Sequence, residues 1–311
     1  MIKYISFFTA FSNIIIIMLS INKLFNYFSK KDIVLSIKVA VSRKYLVIFS
    51  SLENNNLNFG DRLNEYILNK ISKKKVVFSH NIINFLNKKV YSFIGSILDY
   101  SRIRNLTVLG SGYINSNRTN SIIPKRVEFI RGHLSLSKYN KLTKKDIKVP
   151  FGDPSILVKK LYNPNLPKIY DYGIIPHYID KNNPFLSELI REISSKSLKY
   201  ILIDVFDKTE NIIDNIKKSK KILSSSLHGL IISDLYCVPN RWVKFSENIY
   251  GGNFKFDDYY SSLSKDPLFP VVISENFNFS NFENLLECNF FNLKKMLVDV
   301  ENSLPKDLFN Y

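Results

Sequence analysis

The chain has 311 residues, 45% hydrophobic and 23% charged, which excludes a disordered chain and fits a globular protein of two domains. The formal net charge of +17 predicts attraction to anions such as nucleic acids, anionic membranes or phosphorylated substrates. The lysines are scattered as pairs and triples, and neither a zinc-finger spacing nor an aromatic-basic RNA-binding motif occurs, so we expect no nucleic acid partner.

The first segment of the chain is apolar. Residues 5–21 carry no charge and are close to the minimum length that spans a bilayer, and the lysines that follow favour the cytoplasm for that side. We expect a helix that anchors in or dips into the inner face of the cytoplasmic membrane. A packed core helix ranks second and a signal peptide third, because no small-residue cleavage site follows Ser20. This helix and a basic linker form the predicted region 1–43.

Short apolar strands alternate with helices in the region 44–162. The strands are predicted at 45–49, 76–78, 92–98, 106–112 and 127–132, and the helices at 63–71 and 134–140. Such alternation is typical of a parallel sheet covered by helices.

A second alternation begins after the linker 163–167 and makes 163–311 the predicted second domain. Its strands are predicted at 168–175, 200–204, 220–223 and 240–243, and its helices at 185–194, 209–219 and from 227 onward. The tail from residue 277 is predicted to be helical and to pack back on either domain.

Three serines separate the strand 220–223 from the helix that starts at Leu227. A strand, a turn of small residues and a helix N-terminus form a site suited to anions. His228 lies in the first turn of this helix, where it can face a phosphate or a carboxylate. The alternative is an ordinary capped helix whose histidine only covers the turn.

Other chemically active side chains follow predicted strands or start helices. Asp61 follows the Gly60 turn and is either a proton acceptor or an acid that complements the helix dipole. Arg131 ends a strand and either holds a carboxylate or phosphate or forms a surface ion pair.

The roles of three further side chains are also left as alternatives. Asp153 stands in Gly-Asp-Pro, which is either functional or a simple turn; His177 follows an apolar strand; and Lys255 is a possible anion contact. No phosphate-loop motif and no metal-ligand spacing is present. Cys237 and Cys288 indicate reduced, buried thiols in a cytoplasmic protein.

The stretch 224–234, Ser-Ser-Ser-Leu-His-Gly-Leu-Ile-Ile-Ser-Asp, resembles the signature of the polysaccharide pyruvyl transferases. Other segments resemble that family in the same order: 58–64, 110–113, 131–135, 152–154, 176–178 and 255–260. The likeness covers roughly residues 44–260. Two positions depart from it, because Ser226 stands where some relatives have arginine and His133 where relatives usually have proline.

The resemblance implies an α/β fold with two Rossmann-like domains facing across a cleft, like glycosyltransferase-B, to which this chain adds the apolar N-terminal helix. It implies transfer of pyruvate from phosphoenolpyruvate onto two hydroxyls of one sugar, giving a ketal, in capsule, exopolysaccharide or lipopolysaccharide biosynthesis. No cofactor is expected, and the acceptor is expected to be a lipid-linked oligosaccharide. The rival interpretations are a sugar-nucleotide glycosyltransferase and an inactive, membrane-tethered binding protein.

The resemblance also suggests roles for residues. His228 matches the acid and Asp61 the base, and His177 and Asp153 remain alternatives for either role. The residues expected to bind the donor are Arg131, Lys255, Ser225, Ser226, Leu227, Gly60 and Gly112. No metal site is expected.

Overall fold

Two parallel β-sheets organise the chain in a computed structural model. The structure describes residues 30–49, 58–79, 88–117, 120–263, 269–275, 277–279 and 290–310. Each sheet has five strands, and all their recorded pairings are parallel. The predicted α/β class with parallel sheets is therefore confirmed, while the domain boundaries remain a prediction.

The first sheet is built from the N-terminal half of the described chain. Its elements are α1 (Lys30–Val41), β1 (Tyr45–Ile48), α2 (Phe59–Ile71), β2 (Lys75–Phe78), β3 (Val90–Ser92), β4 (Leu106–Leu109), β5 (Arg126–Phe129) and α3 (His133–Thr143). The strand order is β2-β1-β3-β4-β5, and all four residues of β4 are buried, as expected for a strand covered on both faces. β3 ends earlier than predicted, and beyond it the chain turns at Gly95, whose φ is +123°.

The second sheet repeats this topology. After a short 3-10 helix (Pro154–Leu157) and α4 (Val158–Leu161) come β6 (Tyr170–Ile175), α5 (Pro184–Ser195), β7 (Tyr200–Leu202), α6 (Thr209–Lys218), β8 (Ser219–Ser224), α7 (Leu227–Leu235), β9 (Asn240–Lys244), α8 (Phe254–Ser262), β10 (Val271–Val272) and α9 (Phe290–Ser303). The strand order is β10-β9-β8-β6-β7.

In each sheet the strand order reverses direction at one point, between β1 and β3 in the first and between β6 and β8 in the second. Ligands of open parallel sheets bind outside the carboxyl ends of the strands at such reversal points. The topology therefore directs attention to the loops that follow these four strands.

One continuous apolar core joins the helices that carry these loops. Leu63 and Ile67 of α2 and Leu230 and Ile231 of α7 are fully buried in the same cluster. Leu63 and Ile67 are four residues apart and lie on one face of α2, whereas α7 is buried on nearly all sides, so that consecutive residues reach the core. The N-termini of α2 and α7 are thereby held close together.

The C-terminal segment packs on the first half of the chain. A Cβ added to Gly152 would lie 2.5 Å from Val300 and 2.9 Å from Met296, so α9 rests directly on this glycine. Beyond α9, the backbone N–H of Asn310 donates to the carbonyl oxygen of Ile71 at 2.8 Å. The predicted helical tail is thus seen in α9, which contacts both β5 of the first sheet and α7 of the second half.

The expected attachment to the inner face of the cytoplasmic membrane is corrected by the structure. Among the described residues, no helix is long and apolar enough to cross a membrane. The segment 5–21, on which that prediction rested, lies outside the described residues. The predicted localisation is therefore wrong as stated.

The cysteine prediction is also corrected in part. Cys237 is a free thiol, but it is exposed and not buried, because it lies in the turn between α7 and β9 with φ +57°. Cys288 lies outside the described residues.

Candidate active site

A cavity of about 670 Å³ opens at the carboxyl ends of the strands of both sheets. Its wall includes six of the predicted site residues: Asp61, His177, Ser226, Leu227, His228 and Lys255. The other predicted residues, Gly60, Gly112, Arg131, Asp153 and Ser225, do not line it. The cavity lies where the strand orders of the two sheets reverse, which makes it the candidate active site.

His228 extends from the first turn of α7 toward the first half of the chain. A Cβ added to Gly60 would lie 2.2 Å from its Nδ1, so the imidazole packs directly on this glycine. On the other side, Nε2 lies 3.7 Å from Oδ2 of Asp153. The ring is therefore held between two residues of the first half, and Gly60 is required because no larger residue leaves room for it.

Asp153 is the buried carboxylate beside this histidine. It caps the 3-10 helix Pro154–Leu157, and its Oδ1 accepts a hydrogen bond from the backbone N–H of Ser155 at 2.9 Å. Burial alone would raise the pKa of Asp153, but the adjacent imidazole of His228 and the hydrogen bond from Ser155 outweigh it and hold the pKa below its usual value. Asp153 is thus an ionised group placed to orient His228.

The two facing atoms of this pair have unused hydrogen-bonding capacity. Neither Oδ2 of Asp153 nor Nε2 of His228 has a hydrogen-bond partner in the described part of the chain. Their separation of 3.7 Å is too long for a hydrogen bond, and a small rotation of the ring would bring them into contact. Catalytic hydrogen bonds are often long in the absence of substrate.

Asp61 lies in the first turn of α2. The side chain of Asn58, the N-cap residue, accepts a hydrogen bond from the backbone N–H of Asp61 at 3.3 Å. Burial raises the pKa of Asp61, and the opposing effects of the His228 charge and of a hydrogen bond from the Asn58 backbone do not cancel it. The carboxylate is consequently a stronger base than an ordinary aspartate.

His177 lines the cavity at the end of β6. Burial, together with the nearby positive charge of Lys255, lowers the pKa of His177 to about 3. Its Nδ1 accepts from the backbone N–H of Ile179 at 3.4 Å, which leaves the proton on Nε2. His177 is therefore neutral near pH 7, and it is suited to donate a hydrogen bond rather than to act as an acid.

Lys255 supplies positive charge to the cavity. It lies in the first turn of α8 and is only 9% exposed. Burial and repulsion by Arg131 lower the pKa of Lys255 to about 8, although the negative charge of Asp180 opposes them. Within the described residues its ammonium group forms no ion pair closer than 4.0 Å. A buried cation without a close internal carboxylate favours an anionic ligand at this position.

Arg131, in contrast, is fully buried and engaged within the protein. Its Nε donates to Oδ2 of Asp258 at 2.9 Å and its Nη2 to the carbonyl oxygen of Tyr113 at 2.7 Å, while Nη1 donates to Ser96. A Cβ on Gly112 would lie 2.7 Å from the guanidinium carbon, so Gly112 makes room for it. The donor-binding role of Arg131 and Gly112 stays a prediction, and the contacts seen are those of a buried ion pair.

In the serine turn, Ser224 and Ser225 form internal hydrogen bonds, whereas Ser226 lines the cavity. Ser225 Oγ donates to Asp180 at 2.9 Å and accepts from the backbone N–H of His177 at 2.8 Å, so it holds the His177 loop. Ser224 Oγ accepts from the backbone N–H of Ser226 at 3.0 Å. Ser226 and Leu227 line the cavity at the N-terminus of α7, where backbone N–H groups attract anions.

Sequence reasoning missed several residues around the cavity. Tyr100, Tyr178 and Tyr250 line it and are 44%, 45% and 60% exposed. Exposed aromatic residues in loops after strands are the signal that would have indicated them. Asp258 was also missed, although a buried arginine requires a carboxylate nearby.

The cavity therefore combines an aspartate–histidine pair, a second carboxylate with raised pKa, a neutral histidine and a cation. In the ranges that the structure describes, no three His, Cys, Asp or Glu side chains are grouped to hold a metal ion. The arrangement is suited to general acid–base chemistry on an anionic substrate.

The chain belongs to the polysaccharide pyruvyl transferase family. The family's sequence model, described as polysaccharide pyruvyl transferase, matches residues 116–246, a range that contains Asp153, His177 and His228. The predicted membership is confirmed, and the chain carries a pyruvyl transferase domain of a polysaccharide biosynthesis family.

Two curated relatives and one solved structure are similar to this chain. An uncharacterized protein of Acanthamoeba polyphaga mimivirus is 32% identical over 237 residues, which cover 73% of this chain and 80% of that protein. The succinoglycan biosynthesis protein ExoV of Rhizobium meliloti is 26% identical over 176 residues, 55% of this chain and 52% of ExoV. A crystal structure of an uncharacterized Klebsiella pneumoniae protein matches with a TM-score of 0.38 at 11% identity, over 78% of this chain and 96% of that one.

Proposed function

We propose that this protein transfers pyruvate from phosphoenolpyruvate onto two hydroxyls of one sugar to form a cyclic ketal during synthesis of a surface polysaccharide. Membership in the pyruvyl transferase family supports the reaction class. The observation that carries the proposal is His228, held between Gly60 and Asp153 in a cavity wall that also contains Asp61 and Lys255. The polysaccharide is a capsule, an exopolysaccharide or a lipopolysaccharide, and the acceptor is a lipid-linked oligosaccharide.

The chemistry requires an acid and a base at one carbon centre. A proton is added to the methylene carbon of phosphoenolpyruvate, which makes the adjacent carbon electrophilic. One sugar hydroxyl adds there and loses its proton, phosphate leaves with the bridging oxygen, and the second hydroxyl closes the ring. Of the two hydroxyl protons, one restores the proton that the acid gave to the methylene carbon, and the other leaves with phosphate.

His228 is assigned as the acid and Asp61 as the base. The carboxylate of Asp153, 3.7 Å from Nε2, fixes the orientation of the His228 ring. The raised pKa of Asp61 strengthens its ability to take a proton from a sugar hydroxyl. His177 is left with a hydrogen-bonding role, because a pKa of about 3 leaves no proton to transfer near neutral pH.

The anionic donor is assigned to the side of the cavity with Lys255 and the N-terminus of α7. The ammonium group of Lys255 attracts the carboxylate or phosphate, and the backbone at Ser226 and Leu227 presents N–H groups to it. Arg131 adds positive charge from behind the wall. The two sheets then act as two Rossmann-like domains facing across the cavity, as in glycosyltransferase-B.

A direct assay tests this proposal. Labelled phosphoenolpyruvate is incubated with the protein and a panel of galactose- and glucose-containing acceptors, and phosphate release and ketal formation are measured. Transfer from a nucleotide sugar, with no product from phosphoenolpyruvate across the panel, would establish the rival glycosyltransferase function instead. No reaction with either donor would favour an inactive binding protein.

Variants of His228 test the assignment of the acid. A positioned acid contributes about 10²–10⁴-fold in rate, so His228→Ala should lower turnover by that order. His228→Gln keeps a hydrogen-bond donor but carries no transferable proton, and it should lose as much. The control is His133→Gln, since His133 is exposed and does not line the cavity. Near-normal turnover of His228→Gln would show that His228 binds the donor and is not the acid.

A further inference from the structure

A second depression of about 520 Å³ lies next to the candidate active site. The two share Tyr250, and Ile114 of the cavity is followed directly by Asn115 of the depression. Both volumes fall within the roughly 300–1,000 Å³ range of pockets that hold small ligands. The surface therefore continues from His228 past Tyr250 into a second space.

Tyr250 is held firmly at the border between these spaces. The next residue, Gly251, has φ +82°, and a Cβ there would lie 2.3 Å from the carbonyl oxygen of Ile114. The loop from the second half thus rests on a loop of the first half. The ring of Tyr250 lies 6.4 Å from that of Tyr100, and the two residues are 60% and 44% exposed. Two exposed aromatic rings at a fixed position offer apolar faces with polar hydroxyl ends.

The lining of the depression is polar but not basic. Asn115, Ser116, Asn117 and Asp257 contribute amide, hydroxyl and carboxylate groups. No lysine or arginine lines it in the part of the chain that the structure describes. Amides and carboxylates together accept and donate hydrogen bonds as vicinal hydroxyls require. Aromatic faces beside such groups suit the two faces of a neutral sugar.

We propose that this depression is a subsite for neutral hexose units of the acceptor beyond the unit that receives pyruvate. The acceptor is then an oligosaccharide whose chain leaves the cavity over Tyr250 and continues along Asn117 and Asp257. This inference rests on the proposed function, because it extends the acceptor side of the same site.

Binding measured without turnover tests the subsite. The probes are two neutral series, β-1,4-linked glucose and β-1,4-linked galactose, from monosaccharide to tetrasaccharide, titrated into the full chain by calorimetry. In at least one series, the tetrasaccharide should bind about tenfold tighter than the monosaccharide, equivalent to about 1.4 kcal/mol. Tyr250→Ala and Asn117→Ala should each bring this ratio toward one.

The matched control is Tyr200→Ala. Tyr200 is 36% exposed at the start of β7, the opposite end of the strand from the cavity, so its loss should leave the ratio at the wild-type value. Equal affinity for short and long members of both series, or no binding by either, would overturn the proposal. The proposal would also be overturned if Tyr200→Ala lowered the preference for the tetrasaccharide as much as Tyr250→Ala does.

The two proposals fail in different ways. A preference for the tetrasaccharide that depends on Tyr250, together with no use of phosphoenolpyruvate, keeps the subsite and rejects the proposed function. Phosphate release from phosphoenolpyruvate with equal KM for monosaccharide and tetrasaccharide keeps the function and rejects the subsite.

Discussion

Gly60→Ala isolates the placement of the His228 ring from the stability of the fold. The new methyl carbon would lie 2.2 Å from Nδ1 and 2.5 Å from Cε1 of His228, about 1 Å closer than the ordinary contact distance of 3.4 Å. The imidazole must therefore leave the position that it occupies between Gly60 and Asp153. A misplacement of about 1 Å costs roughly 10²-fold in rate, and we expect a loss of turnover of that size.

The stability of the fold should respond to Gly60→Ala differently from the turnover. Gly60 lies in α2, and alanine is favoured over glycine inside a helix by about 1 kcal/mol. The clash falls on a side chain that can rotate, so we expect the melting temperature to stay the same or rise. A loss of turnover without a loss of stability would distinguish a displaced histidine from a damaged fold.

The double variant Gly60→Ala, His228→Ala provides the control. Phosphate release from phosphoenolpyruvate is measured for the wild type, both single variants and the double variant. With the imidazole removed, the added methyl group should cause no further loss, so the two effects should not add. Wild-type turnover in Gly60→Ala, or a full additional loss in the double variant, would refute the reasoning.

Three further predictions follow from the same geometry. Asp153→Asn keeps the shape of the side chain but removes its charge, and kcat should fall by about 10²-fold as His228 loses its orienting partner, while KM for phosphoenolpyruvate changes little. The value of kcat/KM for phosphoenolpyruvate should decline above about pH 8, because the pKa of Lys255 is lowered to about 8 and its side chain loses its charge there. The variant Lys255→Met should not show this decline. An unchanged decline in that variant would contradict the assignment of Lys255 to donor binding. Because the pKa of His177 falls from 6.5 to about 3 on folding, the unfolded chain takes up the proton first as the pH falls, and stability should drop by about 2 kcal/mol between pH 7 and pH 5. Urea unfolding at both pH values should show that His177→Gln removes this part of the drop, and an equal drop in the variant would count against a buried neutral His177.

Much of the architecture could be predicted from local patterns. β4 is a short, mostly apolar run followed by a glycine, and a strand buried on both faces requires such a run; in β8 only the buried second half, which ends at Ser224, has this character. The serine turn before α7 was predictable because small residues allow a tight turn, but the expected capping is not made by the side chain of Ser226, which forms no capping hydrogen bond. β3 was harder, because the apolar residues Ile94 and Ile97 continue beyond the strand and are buried in a bend.

The roles of the charged residues depended on contacts between distant parts of the chain. Arg131 and Lys255 both stand beside elements that lead to the cavity, yet only Lys255 lines it. Arg131 instead pairs with Asp258, 127 residues away in sequence, and no local pattern indicates such a partner. The orientation of His228 toward Gly60 and Asp153 could not be predicted from the sequence either, because it depends on how the two halves of the chain pack.

The packing of the C-terminal segment on the first sheet has a consequence for how the chain matures. The backbone N–H of Lys73 donates to the carbonyl oxygen of Leu308, and its ammonium group donates to Lys306, 233 residues later in the sequence. While the protein is being synthesised, the edge of the first sheet and the surface around Gly152 stay uncovered until this late segment leaves the ribosome. Domains of nascent chains generally fold in order of synthesis, but here the first half lacks these contacts until residues 290–310 have been made. Newly made chains should therefore depend on chaperones, or aggregate, at a stage when nearly all of the cavity residues have already been translated.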